Sequence, residues 1–237
     1  MSEPVAGVLG LFGGTFDPLH IAHLRLALEA REALGLGEVR FIPAGSPALR
    51  DAPHCAALDR LAMVERALAD IPGFSVDATE VLQSGARPAE NPSYTVDTLE
   101  RLRRLYGAQR PLVLLLGADA FARLEAWHRW RELFGLAHIA VATRPGHELS
   151  AVRSAVPGDG AGMSALDAEL AARCGTAADI AGSPAGRIIP FAITALEISA
   201  SAIRQRLASG LSVRYLVPDA VLDYIDSHQI YRTSHGH

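Results

Sequence analysis

The sequence predicts an α/β fold: a doubly wound parallel β-sheet with helices on both faces and a small helical part towards the C-terminus. Three observations carry that expectation. Short apolar runs alternate with segments of helical period over roughly the first 145 residues, the pattern of βαβ units. Some runs, above all PLVLLLGAD at 111–119, are apolar at consecutive positions, as strands covered on both faces are. Glycine or proline follows several of the runs, which ends them in turns at their carboxyl ends, where sheets of this kind bind ligands.

The elements follow in order. GVLGLF at 7–12 meets Gly13-Gly14 and reads as a buried strand stopped by a turn. Residues 20–34 place Ile21, Leu24 and Leu28 on one face, with Arg25, Glu29 and Glu32 elsewhere, a helical period. VRFIPAG at 39–45 is the next strand, closed by Pro43 and Gly45. Residues 57–70 are helical, with Leu61, Ala62 and Leu68 facing inward, and FSVDATEV at 74–81 is a strand candidate. A helix over 95–106 carries Val96, Leu99, Leu102 and Tyr106. Strands at 111–119 and 138–145 complete this series.

Residues 146–186 are rich in Gly, Ala, Ser and Pro, so they read as a loop-rich insertion or lobe with one short helix at 164–173. RIIPFAI at 187–193 returns to strand. SASAIRQRLASG at 199–210 reads as a helix stopped by Gly210, and a last helical pattern carries Val221, Leu222 and Ile225. The whole chain, 1–237, is expected to be one domain, with 197–232 its helical C-terminal part.

Bulk properties exclude several classes. The 237 residues are 49% hydrophobic and 20% charged, with a net charge of −4, so no global basic field points to nucleic acid. A small phosphorylated ligand needs only a local positive pocket and stays open. The two cysteines, Cys55 and Cys174, make neither a disulfide framework nor a zinc ribbon, and a cytoplasmic protein is expected. MSEPVAGVLG has no signal-peptide pattern. LVLLL at 112–116, the longest dense apolar run, is far short of the ~20 residues that span a bilayer. No nucleic acid or membrane partner is therefore expected, and the sequence sets no oligomeric state.

The chemistry gathers in GLFGGTFDPLHIAHLRLA at 10–27. A metal site, an acid–base pair, an anion cradle and core histidines are all open to its two histidines. A strand, a glycine turn and a helix start form an anion site, because first-turn N–H groups are unpaired and the helix dipole is positive there. Gly13 and Gly14 let a phosphate approach the backbone. His20 and His23, three residues apart, face one side and suit donation to phosphate oxygens. No Glu lies between them, as metal-assisted hydrolysis wants, so no metal ligands are assigned. Asp17 reads as a turn residue beside Pro18. Far along the chain, Ser199 and Ser201 can cap a helix whose first turn holds Arg204. Alone that reads as an N-capped surface helix with a solvated arginine. Beside the opening motif it reads as a second anion-binding end with a phosphate-matched guanidinium.

GGTFDPLHIAH resembles the GGxFDPxHxGH signature of adenylyltransferases in the nucleotidylyltransferase superfamily, relatives of the HIGH-motif aminoacyl-tRNA synthetases, with Ala22 where glycine is usual. EISASAIRQRL at 197–207 resembles that superfamily's ISxTxIR motif, with Ser201 in place of threonine. NPSYTVDTLERL, LLLGADAFARLEAWHRWRELF, ATRPG, IPAGSPALR and YLVPDAVLDYIDSHQIYR are similar to stretches of the bacterial nicotinate mononucleotide adenylyltransferases, so the resemblance covers nearly the whole chain. It implies a Rossmann-like sheet and a set of roles. Gly13, Gly14, Thr15 and Phe16 would line the ATP and mononucleotide phosphates. His20 and His23 would contact the ATP phosphates from one side, and Ser199, Ser201 and Arg204 from the other. Gly117 and Asp119 would meet the nucleotide at the end of the central strand, Asp119 holding ribose hydroxyls; a plain helix N-cap is its other reading.

On the same resemblance, Trp127 would stack on the pyridine ring, though an ordinary core tryptophan is the alternative. Thr95 and His128 would turn backbone N–H groups to the nicotinate carboxylate beside Tyr94. Two such donors suit a carboxylate, whereas a carboxamide would set its own N–H against one of them, and a mismatched buried polar group costs ~1–3 kcal/mol. Arg50 and Arg144 would serve the mononucleotide phosphate; the histidine that often precedes the former is Leu49 here, which cannot donate. The reaction implied is attack of the nicotinate mononucleotide phosphate on the α-phosphorus of ATP, with Mg²⁺ bridging ATP oxygens. The alternatives are transfer to nicotinamide mononucleotide or another phosphorylated acceptor, and a non-catalytic nucleotide-binding regulator.

Overall fold

A computed structural model of the chain describes residues 7–47, 52–84, 92–143 and 164–232. Its strands are β1 (Leu9–Gly14), β2 (Glu38–Pro43), β3 (Phe74–Val76), β4 (Leu112–Gly117), β5 (His138–Thr143) and β6 (Ile188–Ala192). They form one sheet in the order β3-β2-β1-β4-β5-β6, the doubly wound arrangement in which the order reverses between β1 and β4. β1 pairs in parallel with β4 from Leu9↔Leu112, β4 with β5 from Val113↔His138, and β5 with β6 from Ile139↔Ile188. β5 is buried along its whole length and β4 at all but its last residue, as continuous apolar runs require.

The helices are α1 (Ile21–Ala33), α2 (Ala57–Leu68), α3 (Thr79–Ser84), α4 (Thr95–Tyr106), α5 (Ala118–Ala122), α6 (Leu133–Leu136), α7 (Ala165–Arg173), α8 (Ala200–Ala208) and α9 (Asp219–Ser227). Three expectations are corrected. β1 runs through both glycines instead of stopping before them, because Gly14 O still accepts from Ala44 N–H at 2.9 Å. The strand expected over 74–81 ends at Val76: Asp77 Oδ1 accepts from Thr79 N–H at 2.9 Å and opens α3, a local side-chain bond that competes with the strand ladder. On α1 the fully buried positions are the small Ala27 and Ala30, with Ile21, Leu24 and Leu28 only partly covered.

Two compact units make up the chain. The first holds 1–12, 26–40 and 94–195, and the second 13–25, 41–93 and 196–237. In the first, Leu9, Leu11, Val113, Leu115, Ile139, Val141 and Ile188 are fully buried. Arg103 of α4 staples its loops, donating to Leu136 O, Arg110 O and Pro184 O at 2.6–2.7 Å. Of the region expected to be loop-rich, 146–163 lies outside the described residues. The remainder holds α7 as expected and also a 3₁₀ helix at Ala177–Gly182, which Thr176 and Asp179 close with a capping box. The second unit is built on Met63, Ile203, Leu207, Val213, Val217, Val221 and Ile225, so α8 and α9, the expected C-terminal helical part, share a core with α2.

Candidate active site

In the second unit the opening motif forms a tight turn between β1 and α1. Gly13 is exposed, and no atom lies within 4 Å of where a Cβ would sit, so the backbone is open to a ligand there. A Cβ on Gly14 would stand 2.9 Å from the Phe16 ring. Phe16 itself adopts φ 50 and is 2% exposed. Its ring meets His23 edge-on at 5.1 Å and Phe41 at 5.8 Å. Only its backbone can therefore take the expected phosphate-lining part.

His20 and His23 come together as expected. Their rings stack at 3.7 Å with 21° between planes, and His23 Nδ1 accepts from His20 N–H at 3.2 Å. That bond fixes the tautomer of His23: with Nδ1 accepting, the ring proton sits on Nε2. His20 is buried, and burial pushes its pKa down to about 4. It is neutral at pH 7 and acts as a dipole. Among the described residues its buried Nδ1 has no hydrogen-bond partner.

The helix start is less open than the sequence implies. Ile21 N–H donates to Leu216 O at 2.9 Å and His23 N–H to His20 O at 2.9 Å, so few backbone donors at the start of α1 are left for an anion.

Ser199 is the N-cap of α8 and accepts from Ala202 N–H at 3.2 Å; Ser201 Oγ lies 3.4 Å from Ser199 Oγ. Both serines are exposed. Arg204 is the fifth residue of the helix, just beyond the first turn. Its Nη1 donates to Asp17 O at 2.7 Å and stands 3.7 Å from Asp17 Oδ2. The two distant motifs therefore meet within one unit, through Asp17.

Asp17 is more than a turn residue. Its buried carboxylate accepts from the Tyr231 hydroxyl at 2.6 Å and from His54 N–H at 2.8 Å. Burial alone would push that carboxyl up; Tyr231, His54, Cys55 and Arg204 outweigh it and hold the group below its ordinary value. The Cys55 thiol, 3.1 Å from the Tyr231 hydroxyl, is pushed up to about 12 by burial, so it stays protonated and is no nucleophile. Sequence reasoning missed this hub and the buried Arg60. A signal for Arg60 was available: it falls on the inward face of the 57–70 helix.

The first unit holds the residues expected at the pyridine end. Gly117 closes β4 and is itself the N-cap of α5, which removes the N-cap reading of Asp119; that carboxylate is exposed in the first turn. Trp127 is only partly covered, and the core tryptophan is Trp130, at 8% exposure. Tyr94, the N-cap of α4, packs its ring on His128 at 4.5 Å. Thr95 is the first residue of α4, where a helix leaves an N–H without an intrahelical acceptor. Arg129, at φ 52, anchors the Trp127–Trp130 turn through Glu132 and Glu100 at 2.6 Å. Arg50 and Arg144, together with Leu49, lie outside the described residues. Among the described residues no three His, Cys, Asp or Glu side chains gather to hold a metal ion, and no helix is long and apolar enough to cross a membrane.

The family model that matches is that of cytidylyltransferase-like proteins, over residues 11–206. With the doubly wound sheet and the histidine turn at the end of β1, this defines the chain as a nucleotidyltransferase, an enzyme whose substrates are nucleotides. Among its relatives, a protein of Dechloromonas aromatica (strain RCB) named "Probable nicotinate-nucleotide adenylyltransferase" is 53% identical over 99% of this chain and 100% of its own length. A protein of the same name from Pseudomonas putida (strain W619) is 47% identical over 94% of both chains. The chain belongs to the nicotinate-nucleotide adenylyltransferase family. The fold is shared with the Plasmodium falciparum nicotinic acid mononucleotide adenylyltransferase solved in complex with NaAD, at a TM-score of 0.67 and 14% identity, covering 95% of this chain and 97% of that one.

Proposed function

We propose that the chain transfers the adenylyl group of ATP to nicotinate mononucleotide, giving nicotinate adenine dinucleotide and pyrophosphate in NAD biosynthesis. The observation that carries this reading is the stacked His20–His23 pair. The His20 ring is neutral at pH 7, and the His20 N–H sets the tautomer of the His23 ring.

The acceptor phosphate is anionic at neutral pH, so attack on the α-phosphorus needs no general base. Catalysis then rests on alignment and on stabilising charge at the phosphorus. His23 Nε2–H would donate to phosphate oxygens, with Arg204, Ser199 and Ser201 on the other side. Gly13–Phe16 would line the phosphates with backbone. Asp119, beside Gly117, would hold ribose hydroxyls. Trp127 would stack on the pyridine, Thr95 and His128 N–H would meet the carboxylate beside Tyr94, and Arg50 and Arg144 would serve the mononucleotide phosphate.

Adenylyl transfer from ATP runs with a divalent cation on the phosphates. We assign Mg²⁺, which would draw charge off those oxygens. The neutral donors of the histidine turn fit the phosphates of such a complex, not the ion itself. The chain is read as one cytoplasmic catalytic domain, in keeping with its two free cysteines.

The test is pyrophosphate release with ATP and a panel of mononucleotides. Nicotinate mononucleotide should be the best acceptor, and His23→Ala should lower kcat ~10²-fold, the scale of losing one charge-stabilising donor. Near-normal kcat in that variant would remove His23 from the mechanism.

A further inference from the structure

Helix α2 buries a charge. Arg60 is 1% exposed. Among the described residues no carboxylate lies within ion-pair distance of it; Asp17 and Glu80 act on it from further away. A guanidinium stays charged in such a place, so its hydrogen bonds define its use. Nη1 donates to Thr15 O at 2.6 Å and Nη2 to Gly45 O at 3.0 Å. Both acceptors are main-chain carbonyls, one in the turn after β1 and one just after β2.

The Thr15 contact has a directional consequence. In a planar trans peptide the C=O and N–H point in opposite directions, so holding Thr15 O sets the direction of Phe16 N–H. Phe16 sits at φ 50, a region that a bulky residue keeps only when its surroundings impose it. Arg60 grips the carbonyl immediately before it. A hydrogen bond from a cation also polarises the peptide unit that accepts it.

We infer that Arg60 is a positioning residue for the phosphate site: it fixes and polarises the Thr15–Phe16 peptide, so that the turn meets an anion with an oriented, strengthened N–H dipole. This rests on reading the Gly13–Phe16 turn as the phosphate site. Its effect is specific to anionic ligands, which a purely structural role is not.

The experiment compares wild type, Arg60→Met, Arg60→Lys and His23→Ala by calorimetry. One ligand is Mg²⁺–pyrophosphate; the other is nicotinate riboside, which has the pyridine but no phosphate. Arg60→Met should weaken pyrophosphate binding about tenfold or more while riboside binding stays within about twofold, and Arg60→Lys should recover most of the loss. Equal loss for both ligands, or none for pyrophosphate, overturns the inference. Should Arg60→Met fail to fold, Arg60→Gln, which keeps amide donors but carries no charge, takes its place. Weaker pyrophosphate binding with riboside binding intact then supports the inference, and unchanged pyrophosphate binding overturns it. His23→Ala separates the two levels: if it too binds pyrophosphate like wild type, the phosphate-site reading itself fails.

Discussion

His20 shows how one buried ring links the site to stability. Burial takes its pKa from the ordinary 6.5 to about 4. Above about pH 6.5 the ring is neutral in folded and unfolded chain alike and pH has no leverage. Below that, the unfolded chain takes up a proton that the folded chain refuses, so stability falls as the pH drops towards 4, by up to about 1.4 kcal/mol per unit. His138 adds a contribution of the same sign. Burial is the main cause of its lowered pKa, and its Nδ1 accepts from Arg187 N–H, which protonation would prevent. Asp17 behaves differently: its carboxyl is held below 3.8, so its stabilisation persists above that value and is lost only in stronger acid. Urea midpoints should therefore decline between pH 6.5 and 4.5. His20→Gln and His138→Gln should each flatten that slope, and a wild-type profile level down to pH 5 would contradict neutral buried rings.

At the level of elements, the two glycine positions beside the turn differ in kind. A Cβ on Gly45 would come within 2.2 Å of Glu80 O, a backbone atom of α3 that cannot swing aside. Gly45→Ala should destabilise the protein by about 1–3 kcal/mol or more, measured by urea unfolding. Gly13→Ala meets nothing and should leave unfolding within about 0.5 kcal/mol of wild type. Most elements were legible in the sequence because apolar runs and helical periods are local signals. VRFIPAG and PLVLLLGAD gave β2 and β4 for that reason. FSVDATEV misled beyond Val76 because a cap made by Asp77 outweighs β-propensity. The buried face of α1 misled because leucines mark a helical stripe more loudly than the alanines that are actually buried.

On the scale of the whole molecule, the proposed pyridine and phosphate ends would make separate demands on the substrate. Two backbone donors for a carboxylate should favour nicotinate over nicotinamide mononucleotide by about tenfold or more in kcat/KM, from a mismatch of ~1–3 kcal/mol; comparable values for both would remove the carboxylate argument. The site's motifs were legible as strings, GGTFDPLHIAH and ISASAIR. The Asp17 hub was not, because no local period links residues so far apart: Arg204 lies 187 positions from it and Tyr231 lies 214. That last spacing matters during synthesis. The glycine–histidine turn leaves the ribosome well before Tyr231 does. The hydroxyl that holds its aspartate is made 214 residues later, on the order of ten to forty seconds at about 5–20 residues per second. Until then a nascent chain carries its glycine–histidine turn without that bond.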